Sequence, residues 1–339
     1  MRIIDDIKLD FDDVLIVPKR STVVSRGDVN LYRTFKTLNS KTTIEGIPIM
    51  ASNMDCVGVL GVAEVMSKNH LFTCLHKFYN LDILQKYFTE TTSRRNNIFY
   101  SMGITDKDFE KLKAAIDKFQ PKRICVDVAN GYTKYFIDAI SKVREIALDD
   151  TVIMAGNVAT PDMTQEILIN GRADIVKIGI GPGSACETRR VTGVGYPQLS
   201  AIIECADVAH GIGGLVCADG GCRNSGDIAK ALGAGADFVM LGGLLAGHTE
   251  CEGEWFYDEY CNYSFKYYGM SSKEAMTKYY GEVANHRAPE GTVITVKAKG
   301  PLQNTINNIL GGLRSTCTYV GTDNIKNLSK CTTFVKRYR

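Results

Sequence analysis

At 339 residues, with 45% hydrophobic and 23% charged side chains, the chain carries enough apolar material for a large core and too little charge bias for disorder. A formal net charge of +2 gives no electrostatic case for a nucleic-acid partner, and the basic end at Lys336, Arg337 and Arg339 reads as a frayed, solvated tail. The acidic start MRIIDDIKLDFDD has neither the basic flank nor the apolar run of a signal peptide. No later run reaches the roughly 18 apolar residues of a membrane span, so a cytoplasmic protein with no membrane partner is expected. Eleven cysteines without a CxxC pair imply reduced thiols, and five histidines without ligand spacing argue against zinc.

Eight short apolar runs then follow in chain order, at 47–52, 71–75, 98–103, 123–129, 151–156, 173–180, 214–219 and 236–243. They are apolar on both faces, as parallel strands covered by helices must be. Helical patterns alternate with them. Thr105 reads as an N-cap ahead of a Phe109, Leu112, Ile116 stripe; Thr160-Pro161 opens a helix that closes at Asn170-Gly171, and Asp227 to Leu232 closes on Gly233. Eight strand–helix units predict a (β/α)8 barrel of the TIM type, one catalytic domain over residues 1–339, in preference to an open doubly wound sheet. The aromatic and charged stretch from Glu250 to about Lys299 breaks the rhythm after the eighth strand, as an active-site insertion would.

Barrel chemistry sits on the loops that follow the strands. After the sixth strand, Gly179, Gly181 and Gly183 free the backbone around Ser184, Cys186, Glu187 and Thr188, and Arg189 follows. A cysteine there is not core, unlike Cys74, Cys125 and Cys217 inside strands, and a neighbouring arginine favours its thiolate. After the seventh and eighth strands, Asp219-Gly220-Gly221 and Gly242-Gly243 occupy the two loops where barrels bind phosphate through backbone amides, with the aspartate free for ribose hydroxyls. Taken singly these glycines could be tight turns. Together they suggest a phosphorylated ligand beside a nucleophilic thiolate.

These residues resemble the IMP dehydrogenase and GMP reductase family over nearly the whole chain. The resemblance is carried by Phe11-Asp-Asp-Val-Leu-Ile-Val-Pro18, Asn53-Met-Asp55, Asp127-Val-Ala-Asn-Gly-Tyr132, the Cys186 loop through Thr192-Gly-Val-Gly-Tyr-Pro-Gln-Leu199, Asp219-Gly-Gly221, Phe238 to Gly243, Tyr268-Gly-Met270 and Ser315 to Gly321. The second and third strands are about twenty residues apart, which leaves no room for the regulatory domain pair that dehydrogenases of the family insert. His76-Lys77, Tyr268 to Ser272, Val283 to Arg287 and Ser315 to Tyr319 resemble the reductase branch.

That resemblance implies NADPH-dependent reductive deamination of GMP to IMP and ammonia. Cys186 would form a thioimidate at purine C2, with Thr188 and Glu290 as proton relay and burial expected to raise the Glu290 pKa. It implies substrate contacts at Ser184, Asp219, Gly220, Gly221, Gly242, Gly243, Tyr268, Gly269, Met270 and Arg287. Cofactor contacts are implied at Ser25, Arg26, Lys77, Thr105, Asp127, Ile180, Gly181 and Ser315, and a monovalent cation such as K+ at the carbonyls of Gly181, Gly183 and Cys186. A homotetramer is implied as well. Glu187, Cys56, Val59, Phe78 and Pro289 depart from the family wording, and Glu187 adds a negative charge beside the nucleophile. Two other readings stay open: an IMP dehydrogenase using NAD, whose Arg-Tyr flap pair is approached here only by Lys278-Tyr279, and a nucleotide-binding barrel without catalysis.

Overall fold

The computed structural model describes residues 3–281 and 288–337, apart from the side chains of 92–94. All eight apolar runs become parallel strands: Ile49–Ala51, Phe72–Leu75, Ile98–Met102, Arg123–Asp127, Val152–Val158, Ile175–Ile178, Leu215–Asp219 and Phe238–Leu241. Each pairs with the next in the chain, and the eighth pairs with the first through Val239 opposite Ile49 and Leu241 opposite Ala51, which closes the barrel. The fifth strand runs past the expected end at Gly156, because an irregularity between Gly156 and Val158 lets it continue while it turns Asn157 toward the strand ends.

The helices start and stop where local chemistry directs them. Thr105 Oγ1 accepts from the Asp108 amide while Asp108 accepts from the Thr105 amide, a reciprocal cap on Asp106–Phe119. Pro161–Ile169 has proline in its first turn and Asn170 at its end, and Ser225–Gly233 is capped by Asn224. Successive strand residues face opposite sides. The outward side packs on the helices, while Met50, Phe99, Cys125, Met154, Cys217 and Met240 fill the barrel. A hairpin of Arg33–Lys36 and Thr43–Gly46 plugs the end where the strands begin, with Phe35 centred 4.4 Å from Phe238. Its alternation is short and lies outside the eight-strand rhythm, so the sequence pattern does not single it out.

The stretch after the eighth strand folds as a three-stranded antiparallel sheet, Trp255–Tyr257, Tyr263–Tyr268 and Val293–Lys297, with the helix Lys273–Tyr280 in its long connection. It ends in Leu302–Val320, which packs beside Ser225–Gly233 and Leu60–Lys68 and completes the outer ring. The described part of the basic C-terminal stretch is not frayed as expected: Phe334–Lys336 pairs antiparallel with Val14–Ile16, whose edge supplies the missing ladder partners, and the Arg337 amide donates to the Asp13 carbonyl. Among the described residues no helix is long and apolar enough to cross a membrane.

Beneath the barrel, buried Asp237 accepts from the Val216 amide and lies 2.8 Å from His210 Nε2 and 3.4 Å from Arg33 Nη2. The hydrogen bond to Asp237 raises the His210 pKa against the opposing effect of burial. A raised folded-state value makes this contribution to stability complete below the unfolded histidine range of about 6.5 and lost as pH rises through the folded pKa. His210→Ala is therefore expected to lower the melting temperature more at pH 5.5 than at pH 8.5, read by calorimetry on both proteins; an equal loss at both values contradicts this account.

Candidate active site

The inward series of three strands end in charge. Ile175 is followed two residues on by Lys177, Cys125 by Asp127 and Cys217 by Asp219, so the alternation that fills the barrel with apolar side chains carries these three groups to its open mouth. Lys177 Nζ, 1% exposed as a residue, lies 2.6 Å from Asp127 Oδ1 and 3.3 Å from both Asp219 Oδ2 and Asn53 Oδ1. Burial alone would lower the Lys177 pKa, but the charges of Asp127 and Asp219 outweigh it and hold the value well above its ordinary range. Burial likewise acts to raise Asp127, and the Lys177 ammonium with the Asn53 amide carries it below the usual carboxylate value. This layer is the floor of a cavity of about 760 Å³.

The loop after the sixth strand forms one wall. Cys186 is partly exposed, and its thiol donates to Thr188 Oγ1 at 3.3 Å; Thr188 in turn donates to Glu290 Oε2 at 2.8 Å. Cys186 and Thr188, with Glu290 far away in the chain, thus form one thiol–hydroxyl–carboxylate line. Backbone bonds hold it. Glu187 N donates to Glu290 O at 2.7 Å, Thr292 N to Ala185 O at 3.0 Å, and Glu290 N to Ser271 O at 3.0 Å, so the returning segment is clamped between the cysteine loop and the turn at 269–272. Glu290 is half-buried and opens on the cavity, where the sequence reading expected a buried acid.

The charged neighbours of Cys186 point elsewhere, contrary to the expectation that a guanidinium supports its thiolate. Arg189 reaches Asp10 Oδ2 at 3.1 Å and the Tyr196 carbonyl at 2.6 Å. Glu187, the departure beside Cys186, is paired with Arg190. The thiol's polar partner is Thr188.

Opposite, the Asp219-Gly220-Gly221 and Gly242-Gly243 loops meet the cysteine loop. Gly220 and Gly221 both have φ of +87°, and a side chain on Gly220 would come within 3.1 Å of the Gly183 amide. Glycine alone fits that approach without strain. Among the described residues the amides of Gly221 and Gly243 have no acceptor in the protein, as an anion cradle requires. Ser184, Gly269, Met270, Ile180 and Gly181 also line the cavity. Tyr268 does not. The strand alternation turns its neighbour Tyr267 inward, with the hydroxyl on Met54 Sδ at 3.3 Å, and sends Tyr268 to Asp55 at 2.6 Å.

Asp55 is a hub missed at the sequence level. Its Oδ2 accepts from Tyr268 Oη, from Tyr279 Oη at 2.7 Å and from Lys278 Nζ at 2.8 Å, and Phe78 stacks on Tyr279 at 3.4 Å between ring centres. Burial acts to raise the Asp55 pKa, and these donors reverse it. The helix Lys273–Tyr280 is thereby fastened to the barrel. The Asn53-Met-Asp55 motif marks the residue but not its partners, since its donors lie more than two hundred residues away.

The expected cofactor residues separate. Asp127, Ile180 and Gly181 line the cavity, and Lys77 and Thr105 stand beyond it at the ends of the second and third strands. Ser25 and Arg26 are exposed on a turn packed against the helix Leu302–Val320 that carries Ser315, also outside the cavity. Arg287 lies outside the described residues. Two buried atoms on the cavity wall, Ser52 Oγ and Asn157 Oδ1, have no protein partner, the condition of groups that serve a ligand. The Gly183 carbonyl accepts from the Cys186 amide at 3.0 Å, which leaves it a second lone pair for a cation.

Comparison with known proteins places this arrangement. The profile of the IMP dehydrogenase / GMP reductase domain matches residues 8–339. The chain belongs to that family. It is similar to GMP reductase 1 of Homo sapiens, 52% identical over 99% of this chain and 96% of the relative, and to GMP reductase of Onchocerca volvulus, 53% identical over 97% and 91%. In fold it is similar to a crystal structure of a GMP reductase variant from Trypanosoma brucei in complex with guanosine 5′-monophosphate, with a TM-score of 0.86 and 25% identity over 98% of this chain and 96% of the other. Family membership brings a nicotinamide cofactor with it.

Removing the middle of the relay tests the line directly. Thr188→Val keeps the shape and removes the hydroxyl, so kcat should fall by about 10² to 10⁴-fold while the GMP dissociation constant changes little, measured by steady-state kinetics and calorimetric titration. A loss confined to binding contradicts the relay.

Proposed function

We propose that this chain reduces GMP to IMP, releasing ammonia, with NADPH as the hydride source. The observation that carries the reading is the line from Cys186 Sγ through Thr188 Oγ1 to Glu290 Oε2, opening on a cavity whose other walls offer free backbone amides. The phosphate lies on the Gly220-Gly221 and Gly242-Gly243 amides with Ser184, and Asp219 accepts from the ribose hydroxyls. Gly269 and Met270 border the base, and we assign Arg287 to the nucleotide on the family resemblance.

The thiol proton of Cys186 passes through Thr188 to Glu290, and the thiolate adds to purine C2. Glu290 returns that proton through Thr188 to the exocyclic amine, so that ammonia departs in place of the far more basic amide ion. A thioimidate remains on Cys186. The bound nicotinamide supplies a hydride. With hydride added at C2, the C2–S bond breaks, thiolate leaves, and IMP is formed. Asp127, Ile180, Gly181, Lys77 and Thr105 would hold the nicotinamide half of the cofactor. We assign Ser25, Arg26 and Ser315 to the adenosine half as seen by a neighbouring copy in a homotetramer, since they lie outside this chain's own cavity. Carbonyls of Gly181, Gly183 and Cys186 would hold a monovalent cation such as K+, which would stiffen the cysteine loop. The free cysteines suit a cytosolic setting.

The engagement of Lys278 and Tyr279 by Asp55 supports reduction over the hydrolytic dehydrogenase reaction, because neither is turned toward the cavity to activate water. Nicotinamide absorbance followed with GMP plus NADPH should fall, and with IMP plus NAD should stay flat; the reverse pattern overturns the assignment. Cys186→Ala should abolish turnover nearly completely while GMP still binds. Unchanged turnover in that variant contradicts covalent catalysis.

A further inference from the structure

One group in the floor of the cavity has no part in the chemistry above. Lys177 enters from the middle of a strand whose other residues are apolar, and its stem crosses the face of Gly156, where a side chain would come within 2.5 Å of Lys177 Cβ. Its ammonium is shared between two carboxylates that belong to different strands, Asp127 on the fourth at 2.6 Å and Asp219 on the seventh at 3.3 Å. Side-chain amides complete the set: Asn53 Nδ2 donates to Asp127 Oδ2 at 2.9 Å, and Asn157 Nδ2 donates to Asp219 Oδ2 at 2.8 Å and to the Gly179 carbonyl at 2.9 Å. Beneath lie the thiols of Cys74, Cys125 and Cys217, and Lys77 acts on Asp127 from the second strand's end. Within contact distance one ammonium is thus shared by two carboxylates, with Lys77 acting from farther off.

We infer that Lys177 is a positioning residue for both ligands at once, a single buried charge that fixes the carboxylate serving the nucleotide ribose and the carboxylate facing the nicotinamide. The inference rests on the assignment of Asp219 to the substrate side and Asp127 to the cofactor side. The physical reason is the low dielectric of the barrel mouth. Two carboxylates sharing such a site cannot both stay ionised without the ammonium, and a carboxylate that holds a proton or swings to solvent no longer presents its oxygens to a hydroxyl. Because the two compete for one ammonium, neutralising either changes how tightly Lys177 holds the other. The nucleotide and cofactor sites are therefore linked through it.

The test uses the full-length enzyme. Lys177→Met keeps the length of the stem without the charge, and kcat/KM should fall on the order of 10²-fold, with KM raised for both GMP and NADPH. Its pH profile should gain an ionisation near neutrality, as one of the two aspartates takes up a proton; a merely structural defect lowers activity without moving the profile. The second variant, Asp127→Asn, keeps the ammonium and decides the question even if Lys177→Met does not fold. Its dissociation constant for GMP alone, by calorimetry without cofactor, should differ from wild type by roughly 3-fold or more, although Asp127 is assigned no contact with the nucleotide. GMP affinity unchanged in Asp127→Asn, or a Lys177→Met defect confined to one ligand with the wild-type profile, overturns the role of Lys177. Wild-type assays alongside separate the two questions: absence of GMP turnover there overturns the assigned reaction, whereas normal turnover with unlinked ligands overturns only this inference.

Discussion

A buried ammonium held between two carboxylates is the constraint around which the open end of this barrel is organised. Ion pairs of this kind add little net stability over apolar side chains of the same volume, because desolvation offsets their attraction, yet breaking one partner away is costly. Lys177, Asp127 and Asp219 therefore act less as cement than as a fixed point. They set where the polar floor of the cavity begins, one layer above the methionines, cysteines and phenylalanines that fill the barrel. Asn53 donates to the Asp127 oxygen that Lys177 leaves free and Asn157 to the Asp219 oxygen that Lys177 also reaches, which ties the first and fifth strands into the same layer.

The reactive line above that floor is built by a different device. Cys186 and Thr188 sit on one loop, but Glu290 comes from the arm inserted after the eighth strand, and it reaches Thr188 only because 290–292 runs as a short rung beside Ala185 and Glu187. The same arm is fastened a second time at Asp55, where Tyr268, Lys278 and Tyr279 converge on one buried oxygen. A hydrogen-bonded line between a sulfur and a carboxylate about a hundred residues apart thus depends on backbone pairing on one side and a charged knot on the other.

Much of this was legible in the chain. Runs apolar on both faces admit few structures other than covered parallel strands, and eight of them in even alternation close a barrel. Cys186 stood out because it follows a strand among glycines that cannot fill a core, and the Gly220-Gly221 and Gly242-Gly243 loops stood out for the same reason. Lys177 carries a signal of its own in the chain, a lysine inside an apolar strand, which has no structural reason to be there without anions to meet it. Tyr268, named by the resemblance as a substrate contact, turns to Asp55 while Tyr267 lines the cavity, a register of the inserted sheet that an aromatic stretch with no clear alternation does not reveal.

The sequence by itself determined the local preferences: which segments are strands, where helices start, and which loops hold a thiol, glycines and acids. Those follow from side-chain period, capping and backbone freedom, all of which act over a few residues. Only the tertiary structure decided which charges meet. Arg189 turned to Asp10 and not to Cys186, Glu187 was taken by Arg190, and Lys177 found both aspartates. Such pairings depend on strand order, barrel closure and the path of an inserted arm. Electrostatic energy falls with distance in space and is indifferent to distance along the chain.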